Sequence, residues 1–272
     1  MNKKAFCYIK FNGYQFYKFF KALSSIIYEV ELNISENGLY ILTMDPLRIA
    51  ILEVQIYNDS FKFFKSGKIG INLDDFKKSL KCKDSDNCET EIIFGEKQIY
   101  LSIDSKKYNS SIKRTLNNIG YSESSDIDIN FLKKSNFPCF FKIRINKLNY
   151  LIENFGLYSE IITIKCFKDN ITFSEHNNKK KNKIIWKKGM IQEYLIKFDE
   201  MNPINKEDRN HEYFMKGDYS LDFFKVNNKM AKILGENSFI EFYLKNNFPL
   251  KSKLKFENLG NTSINFFISP RN

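Results

Sequence analysis

A chain of 272 residues with 43% hydrophobic composition has enough apolar material for one large core or two smaller ones. Its 43 Lys+Arg against 32 Asp+Glu give a formal charge of 43 − 32 = +11, which favours polyanionic partners such as nucleic acid. Five scattered cysteines (Cys7, Cys82, Cys88, Cys139, Cys166), no CxxC and two histidines far from any cysteine pair argue against a zinc site and for a reducing compartment. No apolar run is long enough for a membrane span and "MNKKAFCYIKF" lacks a signal-peptide core, so the expectation is an intracellular, soluble protein.

In chain order the sequence reads as four similar passages, each a strand, a short amphipathic helix and then further strands. The first runs from "AFCYIKF" through the helix in "GYQFYKFFKALSSII" to "EVELNI", "GLYILTM" and "IAILEVQIY", the last a β-branched run. The second places "GKIGI" before "LDDFKKSLK", where Leu73, Phe76 and Leu80 share one helix side, and continues with "TEIIFG" and "QIYLSID". The third runs from "CFFKIRI" through "KLNYLIENFGL" to "IITIKCF", "NITFSEH" and "KIIWKK". The fourth runs from "EYFMKGD" through "LDFFKVNNKMAKIL" to "FIEFYLK", "LKSKLKFE" and "SINFFISP". Asn37-Gly38 and Asp169-Asn170 occupy comparable places and predict hairpin turns. The Leu-Asp-x-Phe-Lys of the fourth helix repeats that of the second at an offset of 221 − 73 = 148 residues, which points to internal duplication. The polar stretch 120–138 predicts a linker between domains 1–119 and 139–272, and Asp199–Asn210 a surface loop. The fold class is therefore α+β, rich in antiparallel strand.

Catalytic signatures are missing: there is no GxSxG, no Gly-rich phosphate loop and no HExxH. Asp126 and Asp128 could share one side of a strand, as in a metal-dependent nuclease, but no further acids cluster there, and no catalytic residue, metal or cofactor is assigned. Asp74, Asp75 and Asp222 sit in first helical turns, where carboxylates meet the helix dipole favourably. Lysines recur instead: Lys18 and Lys21 on the first helix, Lys77, Lys78 and Lys81 on the second, Lys225, Lys229 and Lys232 on the fourth. One such stripe is an ordinary solvated face; recurrence on duplicated helices builds a positive surface suited to backbone phosphates without sequence readout. A separate cluster, "KKKNKIIWKK", is either a basic edge that discourages aggregation or a contact site around Trp186.

The passages "GLYILTMDPLRIAILEVQI", "YSLDFFK", "NNFPLKSKLKF" and "INFFISPR", in this order, resemble the sliding clamps of replication, the proliferating cell nuclear antigen (PCNA) family. The resemblance spans essentially the whole chain. It implies two domains, each of two βαβββ units, with antiparallel sheets outside and helices lining a channel for duplex DNA. It implies a polymerase processivity factor without catalytic activity, placed on DNA by a loader and recruiting replication and repair proteins. Such a factor would be nuclear in a eukaryote and otherwise cytoplasmic.

The same resemblance implies a pocket for client peptides at Met44, Ile51, Phe131, Leu132, Pro249, Phe267, Ile268, Ser269 and Pro270. It also implies a subunit interface between an edge at Ile112, Lys113, Arg114 and Leu116 and one at Ile184, Ile185 and Trp186. Three features depart from the family. The chain is basic throughout, the third helix offers Tyr150 and Glu153 where basic residues are usual, and both edges carry positive charge. Like charge opposes self-pairing, so a homotrimer, a heteromeric ring and a monomeric factor all stay open, as does a specialised paralogue in damage signalling or viral transcription.

Overall fold

The structure, a computed structural model, describes residues 4–45, 47–120, 127–155, 160–176, 181–197, 213–235 and 237–271. Asp126, His211, the 199–210 stretch and Lys179 and Lys180 of the basic cluster lie outside the described residues. By internal contacts the chain divides into two compact units. One comprises Met1–Asp45, Leu52–Ile127 and Lys255–Ile264; the other comprises Pro46–Ile51, Asp128–Leu254 and Asn265–Asn272.

The elements in order are β1 (Ala5–Asn12), α1 (Gly13–Leu23), β2 (Glu29–Ser35), β3 (Gly38–Met44), β4 (Ala50–Ile56), β5 (Lys62–Phe63), β6 (Gly67–Asn72), α2 (Leu73–Leu80), β7 (Cys88–Gly95), β8 (Gln98–Ser105) and β9 (Ser110–Asn117). There follow α3 (Asn130–Lys134), β10 (Cys139–Arg144), α4 (Ile145–Phe155), β11 (Ile161–Cys166), β12 (Asn170–His176), β13 (Lys181–Lys187) and β14 (Glu193–Ile196). The chain closes with β15 (Met215–Ser220), α5 (Leu221–Ala231), β16 (Phe239–Leu244), β17 (Leu250–Phe256) and β18 (Thr262–Ile268). The architecture is α+β. Short β5, α3 and β14 were not predicted: none has a periodic apolar run long enough to announce it.

In the first unit an antiparallel sheet runs β5-β1-β7-β8-β9. Strand β2 pairs antiparallel with both β3 and β6. Helix α1 buries Phe16, Phe19, Phe20 and Leu23, the i, i+3, i+4, i+7 face of an amphipathic helix. Helix α2 buries Leu73, Phe76 and Leu80, the side expected from sequence. The two helices meet ring to ring: Phe76 lies 4.8 Å from Phe20 and 6.5 Å from Phe16, edge-on.

In the second unit β13-β12-β11-β15 form one antiparallel sheet, and β10 pairs with β14 and β16, β16 with β17. Helix α4 buries Leu148, Leu151 and Phe155, and α5 buries Phe224, Met230 and Ala231. Here the helices touch through amides: Asn228 donates to Asn149 at 2.6 Å, and the Ser252 hydroxyl of β17 donates to buried Asn227 at 2.7 Å.

Both predicted hairpin turns fall one residue early. The two-residue loop between β2 and β3 is Glu36-Asn37, with Gly38 already in strand register opposite Ser35. Gly38 is required at φ +107°, where an added Cβ would lie 2.3 Å from the Ile56 carbonyl oxygen. The second loop likewise ends before Asn170, the first residue of β12.

Candidate nucleic-acid interface and its neighbouring surfaces

Two of the three helices carrying the repeated lysines begin alike, whereas α5 follows Ser220 without a side-chain cap. Asn12 and Asn72 cap α1 and α2: Asn12 Oδ1 accepts from the Gln15 amide at 3.0 Å, and Asn72 Oδ1 from the Asp74 and Asp75 amides at 3.1 Å each. The aspartates in the first turns of α2 and α5 bind lysines one turn on. Asp74 pairs with Lys77, Asp75 with Lys78 at 3.4 Å, and Asp222 with Lys225 at 2.9 Å. The Lys77 contact holds the Asp74 carboxyl below the usual carboxylate range.

The eight lysines therefore divide into two sets. Lys77, Lys78 and Lys225 are tied to an acid on their own helix, and Lys18 lies 4.8 Å over the Tyr14 ring. Lys21, Lys81, Lys229 and Lys232 are exposed, and their ammonium groups meet no acid among the described residues. Exposed i, i+3 pairs are worth little and can open to a stronger anion. The second set presents its charge without that competition.

Helix α4 behaves differently. Its one lysine, Lys147, donates to the Met190 carbonyl and stands 5.5 Å over the Trp186 ring. Partial burial, and then the neighbouring Arg144, lower the proton affinity of that amine. The exposed positions of α4 are Asn146, Tyr150, Glu153 and Asn154, so it offers no outward lysine.

The pocket residues expected from sequence differ in exposure. Leu132, Phe267 and Ile268 are buried, while Met44, Ile51, Pro249, Ser269 and Pro270 are half-buried and Phe131 is 58% exposed. The Ser269 amide donates to the Ile49 carbonyl at 2.9 Å, and the Arg271 amide to the Asp218 carbonyl at 2.7 Å, all within the second unit. Leu47, between β3 and β4, is 76% exposed beside Arg48 at φ +57°. An exposed leucine at a turn carries no periodic signal.

The two expected interface strands are each the last strand of a sheet: β9 in the first unit, β13 in the second. On β9, Ile112, Arg114 and Leu116 lie opposite buried Ile103, Leu101 and Ile99 and share their face, while Lys113 points to the other. Arg114 donates to the Lys78 carbonyl at 3.2 Å and also to that of Ser79, closing the C-terminal end of α2. On β13, Ile185 is exposed, Ile184 half-buried, and Trp186 only 6% exposed with its ring 4.7 Å from Phe173. Trp186 is thus a core residue of its own unit, and the outward residue between the edge lysines is Ile185.

For a metal-dependent reaction the described residues offer little. Asp128 Oδ1 accepts the Asn130 amide at 2.8 Å, starting α3, and no group of three or more metal-ligating side chains occurs among the described residues. All five cysteines are free and buried, and burial pushes the Cys7 thiol up to about 12. No helix among the described residues is long and apolar enough to cross a membrane.

Residues 10–117 match the family described as proliferating cell nuclear antigen, N-terminal domain. The chain is 26% identical to "Proliferating cell nuclear antigen 2" of Drosophila melanogaster over 162 residues, covering 57% of this chain and 61% of that protein. It is 22% identical over 271 residues to a "DNA polymerase sliding clamp" of Methanococcus maripaludis, with 96% of each chain covered. In three dimensions it is similar to a chain of the PCNA2-PCNA3 complex from Sulfolobus tokodaii, with a TM-score of 0.75 at 20% identity, covering 97% of this chain and 99% of that one.

Proposed function

We propose that this chain, a sliding clamp of the PCNA family, holds a DNA polymerase on duplex DNA through sequence-blind contacts between helix lysines and phosphates. The observation that carries the reading is the outward lysine set of α1, α2 and α5, with Lys21, Lys81, Lys229 and Lys232 unpartnered among the described residues. Lysine acts as a point charge, so it tracks the backbone without preferring a base and permits movement along the duplex. Nothing in this role needs bond-making chemistry, and the chain works as a non-catalytic tether inside the cell, on DNA to which a loader delivers it.

Clients would insert a glutamine-, aliphatic- and aromatic-bearing peptide at the pocket of Met44, Ile51, Phe131, Leu132, Pro249, Phe267, Ile268, Ser269 and Pro270. Subunits would join through the edges β9 and β13, where free backbone donors and acceptors template strand addition. Ile112, Leu116, Ile184 and Ile185 supply apolar contact there, against repulsion between Lys113 and Lys183 or Lys187. Multimer formation is the reading, and the basic edges favour a partner chain whose edge is acidic over a second copy.

The deciding experiment measures binding to mixed-sequence duplex DNA across salt concentration, alongside polymerase run length on a primed circle. The expected result is sequence-independent binding whose logarithm falls linearly with the logarithm of salt, weakened by Lys21→Glu and Lys229→Glu together. Binding that ignores both salt and these substitutions overturns the reading.

A further inference from the structure

In the second unit, half-exposed rings continue beyond the residues assigned to the pocket. Strands β14, β10, β16 and β17 set Leu195 opposite Phe140, Phe140 opposite Tyr243, and Tyr243 opposite Lys251, which puts them in one row on one face. The row extends through ring contacts: Phe140 to Tyr243 at 5.0 Å, Tyr243 to Phe137 at 6.1 Å, Phe137 to Phe248 at 5.6 Å, and Phe248 to Phe131 at 6.0 Å. Leu195 and Phe131 are 53% and 58% exposed, so the strip is open to water at its two extremes. Phe131 already belongs to the proposed pocket, and the strip is a continuation of it.

Among the described residues, lysines outnumber carboxylates around this strip. Lys245 Nζ stands 4.9 Å over Phe248, and Lys251 Nζ 5.3 Å over Tyr243. Lys133 and Lys134 are exposed on α3, and Lys197 is exposed beside Asn136. Of the two carboxylates on the adjoining row, Glu193 is paired with Lys142 at 3.1 Å, while Glu241 accepts from the Tyr243 hydroxyl at 2.8 Å and keeps its charge.

We propose that the strip seats the residues flanking a client peptide's aromatic anchors, and that this flank is acidic. The inference rests on the client-pocket reading and adds the chemistry of the partner. Carboxylates would meet lysines already held over rings, so little side-chain freedom is lost on binding. Single-stranded nucleic acid fits less well, because the rings meet one another edge-on or tilted and the Phe248 and Tyr243 faces are covered by lysine. A second copy would set like charge against like.

The test uses the full chain and one synthetic peptide carrying the glutamine, aliphatic and aromatic anchors, flanked by a run of glutamates, serines or lysines. Fluorescence anisotropy is read at about 0.05 M and about 0.5 M salt, between which the screening length shortens from about 14 Å to about 4 Å. The glutamate form is expected to bind about tenfold tighter than the serine form at low salt, narrowing to about twofold at high salt. Lys245→Glu with Lys251→Glu should reverse the preference toward the lysine form. Lys133→Glu with Lys134→Glu, on the exposed face of α3, should reduce it if the first pair fails to fold. Equal binding of all three forms overturns the acidic flank and leaves the pocket standing. Binding of none removes the pocket reading itself, and with it this one. Displacement of the glutamate peptide by a mixed-sequence single-stranded oligonucleotide would make the strip a nucleic-acid surface and overturn the proposal.

Discussion

The two helix pairs solve one packing problem in two ways. Helices α1 and α2 are joined by Phe16, Phe20 and Phe76, all fully buried. Helices α4 and α5 are joined partly by amides, Asn228 to Asn149, with Asn227 buried and bonded to Ser252. Burial of apolar rings is a large and non-directional term, whereas buried amides add little net stability but cost much if one partner is removed. The outward faces differ too. α1, α2 and α5 present lysine, while α4 turns Lys147 to a carbonyl and shows Tyr150 and Glu153 to solvent. A duplicated sequence has kept its helices and let both their inner glue and outer charge diverge.

The largest effect expected from this contrast is at Phe76. Phe76→Ala empties a site shared by two helices and should lower unfolding stability by about 3–5 kcal/mol, read by urea denaturation with a probe in the first unit. A loss under about 1 kcal/mol would mean the ring cluster collapses around the gap and the contrast is not one of packing.

The polar pair predicts a different pattern. Ser252→Ala strands the Asn227 carbonyl oxygen and should cost about 1–3 kcal/mol, and Asn227→Leu a comparable amount. Combining the two should recover part of the loss, because no buried polar atom is then left alone. Strictly additive losses in the double-mutant cycle would show that Asn227 and Ser252 do not act as a pair.

The outer faces give the next comparison. Lys229→Ala, removing an unpartnered lysine, should reduce the salt slope of DNA binding by about 1. Lys225→Ala should change it less, since its charge is shared with Asp222. Glu153→Lys on α4 should steepen the slope by a similar amount. If α4 faces away from DNA, that gain will be absent.

The smallest effect concerns Glu175 on β12, which is 1% exposed and accepts from Asn182 at 2.6 Å through Oε1, while Oε2 meets no donor among the described residues. Burial raises its pKa above the ordinary 4.5, with Asn182 opposing in part. A carboxyl raised in the folded state favours folding when protonated, so its ionisation costs stability as pH rises through the folded value. Glu175→Gln should therefore raise the melting temperature slightly at neutral pH. The gain should fade as pH falls below 4.5, where both states of the native residue are protonated. A gain independent of pH would trace to packing instead.

Much of this molecule was determined by the sequence itself. Apolar spacing marked α1, α2, α4 and α5, because a helix that buries one face must repeat its hydrophobes every three or four residues. Alternation and β-branching marked the long strands, and the repeated Leu-Asp-x-Phe-Lys exposed the duplication. Tertiary structure decided what each charged or aromatic side chain does. Lys77 and Lys229 are both lysines on a basic helix, yet one is bound to Asp74 and the other is not. Arg114 and Trp186 look alike as edge residues, but Arg114 closes the end of α2 and Trp186 packs on Phe173. Periodicity records which face a residue occupies; partnership depends on which atoms lie across from it, often tens of residues away, and no local pattern encodes that.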